Sequence, residues 1–323
     1  MASLIFWIGV FFLGLLVLAK SSDYFIKAAE KLGLILRIPA FIVGVTIIAI
    51  GTSLPELASS IFAVIKGSSE IVAGNVIGSN IANIFLILGI AVVISGNVKL
   101  LRSLIRVDLP LLIGASFLLA ASIWDGVYTL NEAFLSLFLL GIYLSYTASF
   151  QKKKDGIAKK IRKDIREKME DKKRKLCWKS ITLLLLSLVL LYFSANYVVD
   201  AVIAISDIAG IGKEIIALTA VAVGTSLPEL AVSISAIRSR KSEILIGNIL
   251  GSTIFNSLGV MGIAALFGKI TISNEIIKFS LPLMLVAALL YFFITQDREI
   301  TKWEGWLLIV FYLFFIGKVF GFV

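Results

Sequence analysis

Residues 49–60 read AIGTSLPELASS, and residues 222–233 read AVGTSLPELAVS. The two agree at ten of twelve positions. Further along, EIVAGNVIGS at 70–79 is answered by EILIGNILGS at 243–252, six of ten positions being identical. The offset of 173 holds through to Asn83 and Asn256. One offset across separated segments marks a duplicated unit with no insertion between its motifs, a pattern found in membrane transporters.

The composition around these segments belongs to lipid. Of 323 residues, 59% are hydrophobic and only 16% charged, and the mean hydropathy is +1.00. Soluble domains run at about half apolar and about a quarter charged. A helical crossing needs ~20 apolar residues. Ten stretches qualify, near 3–20, 38–65, 70–96, 108–125, 129–150, 178–199, 214–237, 243–265, 278–296 and 303–322. The short alternating segments of a β-barrel are absent. The first stretch reads as a transmembrane helix and not a signal peptide, because Met1 to Val10 carry no charge and no convincing cleavage site follows. The motifs fall on the second and third stretches of each half. Five crossings per half, an odd number, give the halves opposite orientations. The fold expected is an all-α polytopic membrane protein of ten transmembrane helices, built as two inverted five-helix repeats, 1–150 and 178–323. A basic loop, 151–177, joins them, and the whole forms one membrane domain.

Charge sets the orientation. The 151–177 loop holds thirteen Lys or Arg against five acids, and such an excess beside a membrane marks the cytoplasmic side. With that loop inside, 26 of the 31 basic residues fall at inner ends and five at outer ends. Both termini are then expected outside a plasma membrane. Because the +10 net charge is concentrated in this loop, it does not argue for nucleic acid as a partner. Ile157, Ile161, Ile165 and Met169 recur every four residues in the loop, as in a helix lying along the membrane surface; a solvated linker is the alternative. No obligatory protein partner is evident.

There is no histidine and one cysteine, Cys177. Intrachain disulfides, thiolate zinc sites and histidine proton relays are excluded. Any bound metal must be a hard cation held by oxygen, and no cofactor is expected.

A glutamate within an apolar helix costs roughly 2.5–3.5 kcal/mol on insertion scales. Glu56 and Glu229 both carry this cost, at equivalent repeat positions that inversion would bring together. Paired carboxylates resist joint ionisation unless a cation lies between them. Pro55 and Pro228 precede them, each removing an N–H and clashing with the carbonyl four residues back, Gly51 or Gly224. Carbonyls freed around Ala49–Thr52 and Ala222–Thr225 are tolerable only where they line a polar cavity. Thr52 shares a helix face with Glu56, as Thr225 does with Glu229. On the next helix of each half stand Asn75, Ser79 and Asn83, then Asn248, Ser252 and Asn256, at i, i+4 and i+8. Ser79, Asn83, Ser252 and Asn256 are candidate ligands; Asn75 and Asn248 suit helix-to-helix hydrogen bonds. Gly74, Gly78, Gly247 and Gly251 suit close helix packing. Two carboxylates among neutral oxygens fit Ca²⁺, which takes 6–8 oxygens, better than Mg²⁺. The same two charges balance two Na⁺.

G-T-S-L-P-E followed by G-N-x-x-G-S, twice, resembles the α-repeats of the cation/calcium exchanger superfamily, in particular its compact prokaryotic Na⁺/Ca²⁺ exchangers, over nearly the whole chain. That resemblance implies an antiporter, not an enzyme, exporting Ca²⁺ on the Na⁺ gradient by alternating access. It implies ligand roles for Glu56, Glu229, Thr52, Thr225, Ser53, Ser226, Ser79, Ser252, Asn83 and Asn256, and for the carbonyls of Ala49 and Ala222. It also implies that the first and sixth helices, containing Ser21 and Ser194, slide across the other eight. At ~27 residues the central loop is too short for the regulatory Ca²⁺-binding domain of large animal exchangers. The Ca²⁺/H⁺ branch typically has G-N-A-x-E where G-T-S-L-P-E stands here, which makes a Ca²⁺/H⁺ antiporter the alternative within the class. A passive cation channel is the alternative outside it.

Overall fold

The computed structural model of the protein describes residues 2–36, 38–100, 107–158, 170–208 and 226–322. It is a helical bundle of α1 (Ala2–Leu36), α2 (Ala40–Thr52), α3 (Leu54–Ile65), α4 (Glu70–Ser95), α5 (Leu109–Ile123), α6 (Leu130–Ala158), α7 (Glu170–Ile208), α8 (Leu227–Arg238), α9 (Ser242–Ala265), α10 (Ile276–Ile294) and α11 (Lys302–Val319). Among the described residues six helices are long and apolar enough to cross a membrane, or seven if the bent pair α2–α3 is one span. The protein is thus a multi-pass membrane protein.

Helix α9 lies at the centre, buried along its spanning length, and α4 is buried over most of its own. Helices α1 and α7 lie at the edge and pack on one another along their length. They present Phe6, Phe12, Leu13 and Leu16, and Leu185, Leu186, Val189 and Phe193, outward, an apolar surface suited to lipid tails. Lipid removes the hydrophobic drive for helices to associate, so close packing of small residues must hold the centre together. That packing is explicit between α2 and α9. A Cβ at Gly44 would stand 2.8 Å from the Ile244 carbonyl oxygen, and one at Gly247 would stand 2.9 Å from the Val45 nitrogen. At Gly251 a Cβ would overlap the Val45 carbonyl and stand 2.6 Å from the Ala49 Cβ. The close-packing expectation therefore holds for Gly247 and Gly251. A Cβ at Gly74 meets only Ile276, at 3.5 Å, and one at Gly78 meets none of the described residues within 4 Å.

Two features add to the all-α expectation. Between the helices, β1 (Asn97–Lys99) pairs antiparallel with β4 (Glu299–Thr301), and β2 (Val127–Tyr128) with β3 (Ile270–Thr271). Val98 pairs with Ile300 and Tyr128 with Ile270, and all four are buried. Extended loop segments rich in β-branched and aromatic residues can satisfy their backbone by pairing. Secondly, α6 runs on to Ala158 and α7 begins at Glu170, so helical backbone enters the 151–177 segment from both sides. Lys, Arg and Glu are good helix formers and no proline interrupts them. The apolar stripe Ile161, Ile165 and Met169 lies outside the described residues.

Helices α6 and α11 start alike. Glu132 accepts from the Thr129 N–H at 2.6 Å and its hydroxyl at 2.9 Å, and Glu304 does the same for Thr301 at the same distances. Each carboxylate satisfies donors that a helix start would otherwise leave orphaned.

Candidate cation site

The site grows from the broken second span. Helix α2 stops at Thr52 and α3 starts at Leu54, with a 40° bend and Ser53 between them at φ −87°, ψ 6°. Pro55 is the cause, since it lacks an N–H and cannot continue the helix that precedes it. Helix α8 begins in the same way, with Ser226 at φ −90°, ψ 1° and Pro228 in its first turn. Glu56 and Glu229 stand in the first turns of α3 and α8, where the positive helix end favours a carboxylate. The carbonyl end of α2 faces the same break and favours a cation.

Both carboxylates are buried, Glu56 at 1% exposure and Glu229 at 2%, and they are close enough to repel each other. Ser53 Oγ donates to Glu229 Oε1 at 3.2 Å, joining the two halves. Thr52 Oγ1 donates to the Ala49 carbonyl and to Asn248 Oδ1, both at 3.3 Å. Ser252 Oγ donates to the Ala49 carbonyl at 3.4 Å, which also accepts the Ser53 N–H at 3.1 Å. Asn248 Nδ2 donates to Ser233 Oγ at 3.3 Å, and Asn75 Nδ2 to Ser59 and Ser60 at 3.3 and 3.4 Å, so both amides make the interhelical bonds expected of them.

Around this core the polar groups are not all satisfied within the protein. Both Glu56 oxygens, Glu229 Oε2, the Ser226 hydroxyl and both ends of the Asn83 and Asn256 amides are buried with no hydrogen-bond partner among the described residues. A buried polar group left unmade costs about 1–3 kcal/mol, more when charged, so such a concentration needs a ligand to complete it. Six of these eight atoms are oxygens, three of them from carboxylates. Among the described residues no three His, Cys, Asp or Glu converge. The set is two carboxylates filled out by hydroxyl, amide and carbonyl oxygens, the ligand chemistry of a hard cation with adaptable coordination.

The sequence profile described as "Sodium/calcium exchanger protein" matches residues 6–150 and 179–321. The chain belongs to the sodium/calcium exchanger family. This exchanger is 33% identical to the sodium/calcium exchanger MaX1 of Methanosarcina acetivorans, over 96% of this chain and 97% of that one. It is 31% identical to an uncharacterized membrane protein of Methanocaldococcus jannaschii, over 98% and 99% of the two chains. Its backbone superposes on a solved structure of the sodium-calcium exchanger NCX_Mj with a TM-score of 0.81 at 28% identity, covering 97% of this chain and 99% of that one.

Of the exchanger's twelve sequence candidates, Ala222 and Thr225 lie outside the described residues. Ala49, Thr52, Ser53, Ser252 and Glu229 are joined by the bonds above. Ser79, Asn83, Ser226, Asn256 and Glu56 are all buried. The sequence reading missed the widening of α4 and α9 into π-helical turns at Ala82–Leu88 and Phe255–Val260, which contain Asn83 and Asn256. It also missed Asn80, whose Nδ2 donates to Ser257 Oγ across α4 and α9 at 2.8 Å. A stripe counted at i, i+4 and i+8 on an ideal helix passes over Asn80, and nothing in the composition announces a π turn.

Proposed function

We propose that this exchanger exports Ca²⁺ at the expense of the inward Na⁺ gradient, by alternating access to one buried site between its two halves. The observation that carries this reading is the pair Glu56 and Glu229, buried together and bridged by Ser53 from one half to the other. Two negative charges are balanced by one Ca²⁺ or by two Na⁺, so the ions compete for common oxygens. The proposed ligands are Glu56, Glu229, Thr52, Thr225, Ser53, Ser226, Ser79, Ser252, Asn83 and Asn256, with the carbonyls of Ala49 and Ala222.

The site sits between two inverted five-helix repeats, ten spans in all when α5, α8 and α11 are counted with the others. The strand pairs support this. Moving first-half residues 172 positions forward and second-half residues 172 back turns the pair Val98–Ile300 into Ile270–Tyr128. One crossing, α5, separates β1 from β2, so the two pairs close opposite faces of the bundle. Helices α1 and α7, outermost and packed chiefly on each other, are the pair whose sliding exposes the site to either side. The charge distribution supports a cytoplasmic 151–177 and both termini outside the cell membrane.

The deciding experiment is ⁴⁵Ca²⁺ uptake into Na⁺-loaded proteoliposomes. Uphill uptake that collapses when the Na⁺ gradient is removed is expected; a passive channel cannot produce it. Acid should inhibit, because protonating either glutamate removes a ligand charge. A pH gradient alone should drive nothing, and Ca²⁺ uptake driven by protons without Na⁺ would establish the Ca²⁺/H⁺ alternative instead.

Potassium should be dispensable. Asn83 and Asn256 are neutral amides, so among the described residues the site has no third carboxylate to balance K⁺ bound beside Ca²⁺. Replacing K⁺ by choline at clamped potential should leave Ca²⁺ transport within about twofold, a change of under about 0.5 kcal/mol. Loss of most activity would refute the reading of these two asparagines.

A further inference from the structure

Asp108 is a second kind of buried carboxylate, away from the transport site. It is 4% exposed and stands in a helical turn that runs straight into α5, at φ −69°, ψ −41°. Its side chain accepts no hydrogen bond from the start of α5. The only ion pair among the described residues joins Lys241 to Glu30, so Asp108 has no described cation beside it. Its hydrogen bond is a long one, from Tyr143 Oη to Oδ1 at 3.5 Å. Its charge also acts on the hydroxyls of Tyr146 and Tyr291. Tyr291, on α10, is fully buried, and its hydroxyl has no partner among the described residues.

The fold does not require a carboxylate here. The other half repeats the local sequence as Ser280-Leu281-Pro282 against Asp108-Leu109-Pro110, with the same 172-residue offset as the strand pairs. Ser280 occupies the same place on α10 without a charge. A buried carboxylate at the head of a membrane-spanning helix, present in one repeat and not the other, marks a functional group.

The spacing points to what it holds. A hydroxyl donating to a carboxylate normally closes to about 2.5–2.7 Å. Oxygens at right angles about a cation at ~2.4 Å lie ~3.4 Å apart, close to the separation found between Tyr143 and Asp108. We propose that Asp108, with the hydroxyls of Tyr143 and Tyr291, forms a monovalent-cation site for Na⁺, separate from the transport site. One carboxylate among neutral phenols balances a single positive charge, so Ca²⁺ is not its ligand. The site ties the start of α5 to the middle of α6 and the last turn of α10.

The test is thermal unfolding of the purified full-length protein, followed by tryptophan fluorescence while NaCl replaces choline chloride at fixed ionic strength. In an E56Q/E229Q background, Na⁺ should still raise Tm saturably by a few degrees. Adding Asp108→Asn should abolish that rise, and Tyr291→Phe, which keeps the fold should D108N fail, should raise the half-saturating Na⁺ roughly tenfold. D108N alone should keep the stabilisation by Ca²⁺. An unchanged Na⁺ response in the triple variant overturns the proposal, as does an E56Q/E229Q protein with no Na⁺ response. A stabilisation that follows falling pH and ignores Na⁺ overturns it too, assigning Asp108 a proton instead. Ca²⁺ stabilisation surviving in E56Q/E229Q would count against the transport site and leave the Asp108 comparison intact.

Discussion

Glu56→Gln and Glu229→Gln each reduce Na⁺-driven Ca²⁺ uptake to the level of protein-free liposomes. Glutamine keeps the size of the side chain and one carbonyl oxygen. In the Glu229→Gln variant that oxygen can still accept the hydrogen bond that Ser53 gives Glu229 Oε1 at 3.2 Å. What the substitution removes is charge. With two carboxylates holding a divalent ion, deleting one leaves a net positive charge in a buried cavity, an uncompensated state that costs several kcal/mol. A loss of Ca²⁺ affinity of at least about a hundredfold, about 2.8 kcal/mol, is expected. The measurement is ⁴⁵Ca²⁺ uptake beside a melting curve, so that a misfolded variant is not mistaken for an inactive one. A correctly folded E56Q protein that exchanges at the ordinary rate would remove Glu56 from the site.

The second large effect is expected at Gly251, through packing and not charge. Its Cα faces the α2 backbone so closely that an added methyl would overlap the Val45 carbonyl and stand 2.6 Å from the Ala49 Cβ. Neither neighbour is the loose end of a flexible chain, so α2 must move away from α9. Overpacking of this kind costs about 1–3 kcal/mol, and here the displaced segment carries Ala49 and Thr52. Gly251→Ala should therefore lower Tm and transport together, and Gly251→Leu should yield no folded protein. Gly114, where a Cβ would meet no neighbour within 4 Å, supplies the control. Gly114→Ala should be neutral or slightly stabilising, because alanine is the better helix former by about 1 kcal/mol. Equal melting temperatures for G251A and G114A would mean that α2 and α9 do not meet as described.

The repeated motif made the membrane class, the duplication and the carboxylate pair readable, because each rests on local chemistry. An apolar run of sufficient length has few fates other than lipid, and a proline beside a glutamate in such a run breaks a helix wherever that helix packs. Glu56, Thr52 and Asn248 could be named for the same reason: a polar side chain in an apolar helix must find a polar environment. Their partners could not be named. That Thr52 meets Asn248, that Ser53 reaches Glu229 and not its own neighbour Glu56, and that Gly251 is pressed on Val45 while Gly114 faces nothing are facts about residues far apart in the chain. Asn80 and the π turns around Asn83 and Asn256 went unread because a helical wheel assumes uniform rise and twist, and packing against neighbouring helices alters both. Asp108 carries no motif that would single it out in the sequence. Only the assembled bundle buries it and sets tyrosines beside it. Hydropathy and spacing are properties of one segment at a time, whereas burial and unpaired polar atoms come into being when segments meet.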